Sequence, residues 1–143
     1  MAGREHFVIA KNPDIVGENP LWHPEERKLY WTDNRALKVH RIDPATRQVE
    51  TVIADHRVYA FTLQHDGSML MFSGPTSVLK VCQDDVQVLI TKIPGEDESR
   101  FNDVIADLGG RVLCGLVNPE SGSGAIYRLA TDGSLDKIID NLG

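Results

Sequence analysis

A carboxylate and a side-chain amide stand out for their surroundings: Glu18 in Gly17-Glu18-Asn19-Pro20 and Asn102 in Arg100-Phe101-Asn102-Asp103. Each lies just ahead of a stretch that recurs along the chain. If the recurring units stack, the two side chains reach the same end of the fold. A carboxylate with an amide oxygen makes a hard-oxygen site, the kind that holds calcium or magnesium. Arg100 adds a planar fork of donors suited to a carboxyl-like oxygen or to hydroxyls. By residue type alone Glu18 is a solvated turn glutamate, and Asn102 and Asp103 are turn residues bonding their own backbone. On the same terms Arg100 is a surface charge beside the acidic run Glu96-Asp97-Glu98.

Other chemistries find less support. The five histidines, at 6, 23, 40, 56 and 65, form no pair at metal-ligand spacing. No Gly-x-Ser-x-Gly elbow is present, so no nucleophile triad can be nominated. Gly122-Ser123-Gly124 lacks the strand-to-helix context of a phosphate loop. Cys82 and Cys114 each lie in a strand-like run and read as reduced, buried thiols, too few for zinc.

The elements that must position these residues are strands. Lys28-Leu29-Tyr30-Trp31, Met69-Leu70-Met71-Phe72 and Val112-Leu113-Cys114-Gly115 are short and β-favouring, and each follows a turn-like cluster. Trp31 to Phe72 is 41 positions and Phe72 to Gly115 is 43. Each is followed by an alternating strand (Lys38–Ile42, Val78–Val81, Ala125–Leu129), a polar turn and a last strand (Val49–Ile53, Val86–Ile90, Leu135–Ile139). With a strand ahead of each first turn, around Leu21-Trp22, Ala60–Leu63 and Val104-Ile105, every unit holds four strands. A period of about 40 residues with four strands is that of a propeller blade. The predicted fold is all-β: three four-stranded blades over 14–55, 56–98 and 99–143, half of a six-bladed β-propeller occupying 1–143. Residues 4–11 form a further, ring-closing strand. Such a half-ring leaves open edges and apolar faces, which predicts self-association.

Of the 143 residues 41% are hydrophobic and 25% charged, typical of a globular protein with one core. A formal net charge of −6 argues against nucleic acid and against anionic lipid. No apolar run approaches the ~20 residues of a membrane helix. Met1–His6 lacks the apolar stretch of a signal peptide, which predicts a cytoplasmic protein.

Gly17-Glu18-Asn19-Pro20-Leu21-Trp22, Leu29-Tyr30-Trp31-Thr32-Asp33 and Arg41-Ile42-Asp43-Pro44 together resemble the opening blade of the regucalcin–gluconolactonase family, which includes luciferin-regenerating proteins. Arg100-Phe101-Asn102-Asp103, with Asp107-Leu108-Gly109-Gly110-Arg111 and Cys114-Gly115-Leu116, is similar to that family's third blade. The resemblance spans nearly all of this chain and about half of a family member. It implies a six-bladed propeller with a divalent cation, usually Ca2+ and otherwise Zn2+, Mg2+ or Mn2+, and a sugar lactone as substrate. By similarity Glu18 is a metal ligand, and Asn102 lies near the cation directly or through water. Arg100, Asn102 and Glu120 contact the substrate. The remaining ligands and the base belong to later blades, so the implied function is the N-terminal half of a gluconolactonase-type hydrolase, inactive as an isolated fragment. The alternative is a non-catalytic propeller module that binds a cation or a protein. Tyr30-Trp31-Thr32-Asp33 also matches a repeat of propellers in lipoprotein-receptor ectodomains, but neither later unit repeats it.

Overall fold

The computed structural model describes residues 8–83 and 85–143. Twelve strands form three four-stranded antiparallel sheets, each in simple sequential order. The first holds β1 (Gly17–His23), β2 (Lys28–Asp33), β3 (Lys38–Asp43) and β4 (Gln48–Ile53). The second holds β5 (Val58–Leu63), β6 (Met69–Ser73), β7 (Ser77–Cys82) and β8 (Asp85–Ile90). The third holds β9 (Arg100–Ala106), β10 (Val112–Val117), β11 (Gly124–Leu129) and β12 (Leu135–Leu142). The first strand of the middle sheet, β5, packs against both β1 and β9. The three sheets are therefore blades about a common inner edge, consistent with half of a six-bladed propeller.

The apolar pattern of each strand follows from how many of its faces are covered. Met69 and Met71 join Tyr30, Val39, Val58, Phe61 and Leu79 in a cluster between the first and second blades. Leu70 and Phe72, alternating with them along β6, join a second cluster between the second and third blades, with Phe101, Val112, Cys114 and Tyr127. A strand buried on both faces must read as a continuous apolar run, and β6 is buried at every position. Edge-to-face aromatic pairs centre both seams: Tyr30 on Phe61 at 6.4 Å and Phe72 on Phe101 at 5.1 Å. Tight hairpins require left-handed backbone at their tips, which Gly67 (φ 79°) and Gly133 (φ 86°) supply.

The end blades differ in their outward faces. Trp31, His40 and the fully buried Ile42 face an approach segment at residues 9–14, where Asp14 Oδ2 accepts from Trp31 Nε1 at 2.8 Å. That face is therefore covered, contrary to the expectation that both ends are bare. The third blade leaves Ile105 two-thirds exposed beside its cross-strand partner Leu113, and Ile139 exposed opposite Ile126. Of the ring-closing strand expected at 4–11, residues 4–7 lie outside the described residues, and 8–11 are not in a strand. We expect the isolated 143-residue polypeptide to self-associate through the exposed face of the third blade. Light scattering checks this: a monodisperse monomer at high concentration would remove the expectation, and Ile105→Lys should reduce any association seen.

Candidate functional site

Each innermost strand carries a β-bulge. In β1, Glu18 pairs with Thr32 and Leu21 with Tyr30, so Asn19 and Pro20 together face the single residue Trp31. In β5 the extra residue is Tyr59, between the pairs Val58–Ser73 and Ala60–Phe72. In β9 it is Asn102, between Phe101–Leu116 and Asp103–Gly115. A bulge takes a residue out of the ladder and re-aims its side chain. Glu18 and Asn102 thus lie within inner strands rather than in the turns that their residue types suggest. Both are exposed, and both line one cavity of about 690 Å³ with Asn19, Tyr59, Phe61, Thr62 and Asp103. The structure brings together the carboxylate and the amide from blades one and three.

Glu18 is fixed from three directions. The amide of Asn34, at the start of the β2–β3 turn, donates to its Oε2. Ahead of it, the buried Asp33 carboxylate accepts from the backbone of Ile15 at 2.7 Å, Val16 at 3.1 Å and Ala36 at 3.1 Å. Behind it, Asn19 (φ 52°) bonds Phe61 of the second blade in both directions. Its Oδ1 accepts from Phe61 N at 3.0 Å, and its Nδ2 donates to Phe61 O at 3.3 Å. One carboxylate orders the approach to β1 and the next turn together; one amide ties β1 to β5. Asn at a left-handed position before Pro looks in sequence like an ordinary turn, so the inter-blade role of Asn19 left no separate signal.

Burial alone would raise the Asp33 pKa. The backbone amides of Ile15, Val16, Ala36 and Arg35 outweigh that effect and hold it below the usual 3.8. Because the folded-state pKa is depressed, this contribution to stability is complete above the unfolded value and is lost as pH falls through the folded one. We therefore expect Asp33→Asn to be less stable than the parent at neutral pH, and the gap between them to narrow as pH falls below about 4. Urea unfolding at several pH values checks this; a gap independent of pH would refute the assigned role.

Arg100 does not itself line the cavity but touches two residues that do. Its guanidinium lies over the Tyr59 ring at 5.4 Å, and its Nη1 donates to Phe101 O at 3.0 Å and to Asn102 Oδ1 at 3.5 Å. Glu120 is exposed in the loop between β10 and β11 and is not among the lining residues. There the backbone amides of Glu120 and Ser121 donate to Asn118 Oδ1. Since Val117 pairs with Arg100, that loop leaves the same end of the blade at which Arg100 sits.

One sequence reading, that both cysteines are buried, requires correction. Cys82 is exposed at the end of β7, where the strand runs out into a turn, whereas Cys114 is buried and its thiol is pushed up to about 12 by burial. Glu96, on which the sequence offered no reading of its own, has a structural role. It is buried, and its carboxylate accepts from Ser99 Oγ at 2.6 Å, Tyr127 OH at 2.7 Å and Lys137 Nζ at 2.9 Å. Burial works against its ionisation, but these three donors outweigh burial and lower its pKa. Glu96 clamps the inter-blade loop onto β11 and β12.

The donors lining the cavity are oxygens, with no thiolate or imidazole, which fits a hard divalent cation in kind. In number they fall short, because calcium takes about six to eight oxygens. Among the described residues no group of three or more His, Cys, Asp or Glu side chains could hold a metal. Glu18 and Asn102 therefore do not by themselves make up a cation site. No helix among the described residues is long and apolar enough to cross a membrane.

A profile of the family described as "SMP-30/Gluconolactonase/LRE-like region" matches residues 16–143. The pentonolactonase XacC of Haloferax volcanii is 36% identical over 128 residues, which are 90% of this chain and 43% of that protein. A 6-deoxy-6-sulfogluconolactonase of Pseudomonas putida is 30% identical over 110 residues, 76% of this chain and 38% of its own length. Among solved structures, a calcium-binding regucalcin from Agrobacterium tumefaciens superposes with a TM-score of 0.81 at 17% identity. That match covers 94% of this chain and 46% of the regucalcin, and it bears on the fold alone. The chain therefore spans less than half the length of each of these proteins.

Proposed function

The chain belongs to the SMP-30/gluconolactonase/LRE-like family, and on that premise we propose that it supplies the first three blades of a divalent-cation-dependent sugar-lactone hydrolase. The observation that carries the reading is the shared cavity: Glu18 and Asn102, 84 positions apart in the sequence, line one space from different blades. Relatives named as lactonases support the substrate class, and the one titled a calcium-binding protein supports Ca2+ as the first cation to test.

When bound, a divalent cation supplies Lewis-acid polarisation of the lactone carbonyl and stabilises the oxyanion that forms as water attacks. Glu18 contributes an anionic oxygen, held in place by Asn34. The Asn102 amide oxygen, which accepts from Arg100 Nη1 at 3.5 Å, would be available to help hold the cation, and its Nδ2 would be a donor for the sugar. Arg100, steadied over Tyr59, offers donors to ring hydroxyls. Glu120, in the loop at the same end of the third blade, would contact the substrate only outside the described cavity. Phe61 and Leu63 give the cavity an apolar wall that limits water around the reacting carbonyl. None of these residues is assigned as the base, which the remaining blades contribute.

The test is hydrolysis of a panel of five- and six-carbon sugar lactones by the full-length protein carrying this chain, with and without a chelator. Turnover abolished by chelation and restored by added calcium is expected. Turnover indifferent to chelation would overturn the cation's role. Cation binding without turnover on any lactone would favour a non-catalytic binding module instead.

A further inference from the structure

We propose that Glu96 is a positioning residue for Arg100, fixing the strand end from which that arginine meets the sugar, an inference that rests on the substrate role given to Arg100 above. Arg100 is the first residue of β9, and its pairing with Val117 is the last of the β9–β10 ladder. The bulge at Asn102 interrupts that ladder just inside it. A strand end beyond a bulge frays unless something else holds it. What holds this one lies ahead of it, in the loop of residues 91–99 that joins the second blade to the third. Glu96 and Ser99 are both buried there. Ser99, next to Arg100 in the chain, donates from its hydroxyl to Glu96 Oε2 at 2.6 Å and from its backbone to Glu96 O at 3.3 Å.

The other carboxylate oxygen belongs to the third blade. Glu96 Oε1 accepts from Tyr127 OH of β11 at 2.7 Å and from Lys137 Nζ of β12 at 2.9 Å. One oxygen thus holds the residue before Arg100, and the other holds the two outer strands of the same blade. At its far end the loop is tied to the second blade, where the buried Thr76 Oγ1 accepts from the backbone of the buried Ile93 at 3.0 Å. The Arg100 guanidinium lies over Tyr59 at 5.4 Å, and that ring is backed by Gly74, where a Cβ would stand 3.3 Å from Tyr59 Cε2. Tyr59 therefore fixes the tip of Arg100, and Glu96 fixes its base. Hydrogen bonds to a charged group are the stronger ones, and buried ones are screened little. Freed from Ser99, the backbone at Arg100 can shift, and the long side chain carries that shift to the guanidinium.

The test is steady-state lactone hydrolysis by the full-length protein carrying this chain. The variants are Ser99→Ala, Glu96→Ala, Glu96→Gln, Arg100→Ala, and Ser99→Ala combined with Arg100→Ala. Ser99→Ala cuts the link to Arg100 and leaves Glu96 with Tyr127 and Lys137, so it serves if Glu96→Ala does not fold. Expected is a rise in KM of about tenfold in Ser99→Ala and Glu96→Ala with kcat little changed, below the roughly hundredfold cost of a misplacement of about 1 Å. Glu96→Gln keeps an acceptor for Tyr127 and should return towards the parent. In the double variant Ser99→Ala should add nothing to Arg100→Ala, since a residue that acts through Arg100 has no effect once Arg100 is gone. A merely structural role would lower the folded fraction, and hence the apparent kcat, without moving KM. That result, or additive effects in the double variant, would overturn the inference. Unchanged KM in Arg100→Ala would remove the substrate role of Arg100 itself, and this inference with it, as would a parent that turns over no lactone.

Discussion

Glu18→Gln in the full-length protein is expected to weaken divalent-cation binding by roughly a hundredfold, at or beyond what loss of an outer-shell partner costs, and to reduce lactone hydrolysis with it. The substitution keeps shape and volume and removes the negative charge. It also replaces one of the two carboxylate oxygens by a donor, which a cation repels. The surrounding frame should survive, because Asp33 and Asn19 hold the β1 backbone without using the Glu18 side chain. Thermal unfolding of the variant should therefore stay near that of the parent, so that loss of function is not mistaken for loss of fold. Asn102→Ala is expected to lower turnover more than cation affinity, because on the proposed reading its neutral amide would serve the substrate more than it holds the cation. Titration calorimetry and steady-state hydrolysis, run on both variants, separate these effects. Parental cation affinity in Glu18→Gln would remove the metal assignment outright.

Phe72→Ala is expected to destabilise the protein by about 3–5 kcal/mol, the range for truncating a buried aromatic. Phe72 has no exposed surface and meets Phe101 edge to face at 5.1 Å in the seam between the second and third blades. That loss is a large part of a stability of about 5–15 kcal/mol. The effect should reach the cavity, because Phe101 immediately precedes Asn102, and Tyr59, beneath Arg100, belongs to the same cluster. Phe72→Leu, which refills part of the volume, should recover much of the stability. Denaturant unfolding measures both. A loss of under about 1 kcal/mol for the alanine variant would mean that the seam repacks freely.

The sequence disclosed the blades because each is a local object. Four strands joined by tight turns need only short-range signals: apolar runs, and Asp-Gly or Gly-Gly at the hairpins. The period of about 40 residues exposed their repetition. It also marked Glu18 and Asn102 as a pair. Residue type alone favoured solvated turns for them, and resemblance to a family tipped the balance. Arg100 and Glu120 were nominated in the same way, but the described cavity is lined by neither.

What the sequence could not disclose depends on packing between units. The bulges at Asn19-Pro20, Tyr59 and Asn102 arise from mismatched register with β2, β6 and β10, and no single strand records its partner's register. Glu96 sits in an acidic run whose sequence gives no sign of burial. Only the fold of the loop against β11 and β12 brings Tyr127 and Lys137 to it and makes its burial tolerable. Cys82 and Cys114 both lie in apolar strands, yet one is exposed and the other buried, because strand ends and strand centres differ in cover. Asp33 and Asn34 look like an ordinary turn dipeptide until residues 15 and 16 arrive beside them. By itself the sequence determined an all-β chain of three repeated blades and the kinds of group at the site, because those follow from periodicity and residue chemistry. The tertiary structure alone decided which groups converge, which are held and by what, since contacts between blades join residues that the chain keeps far apart.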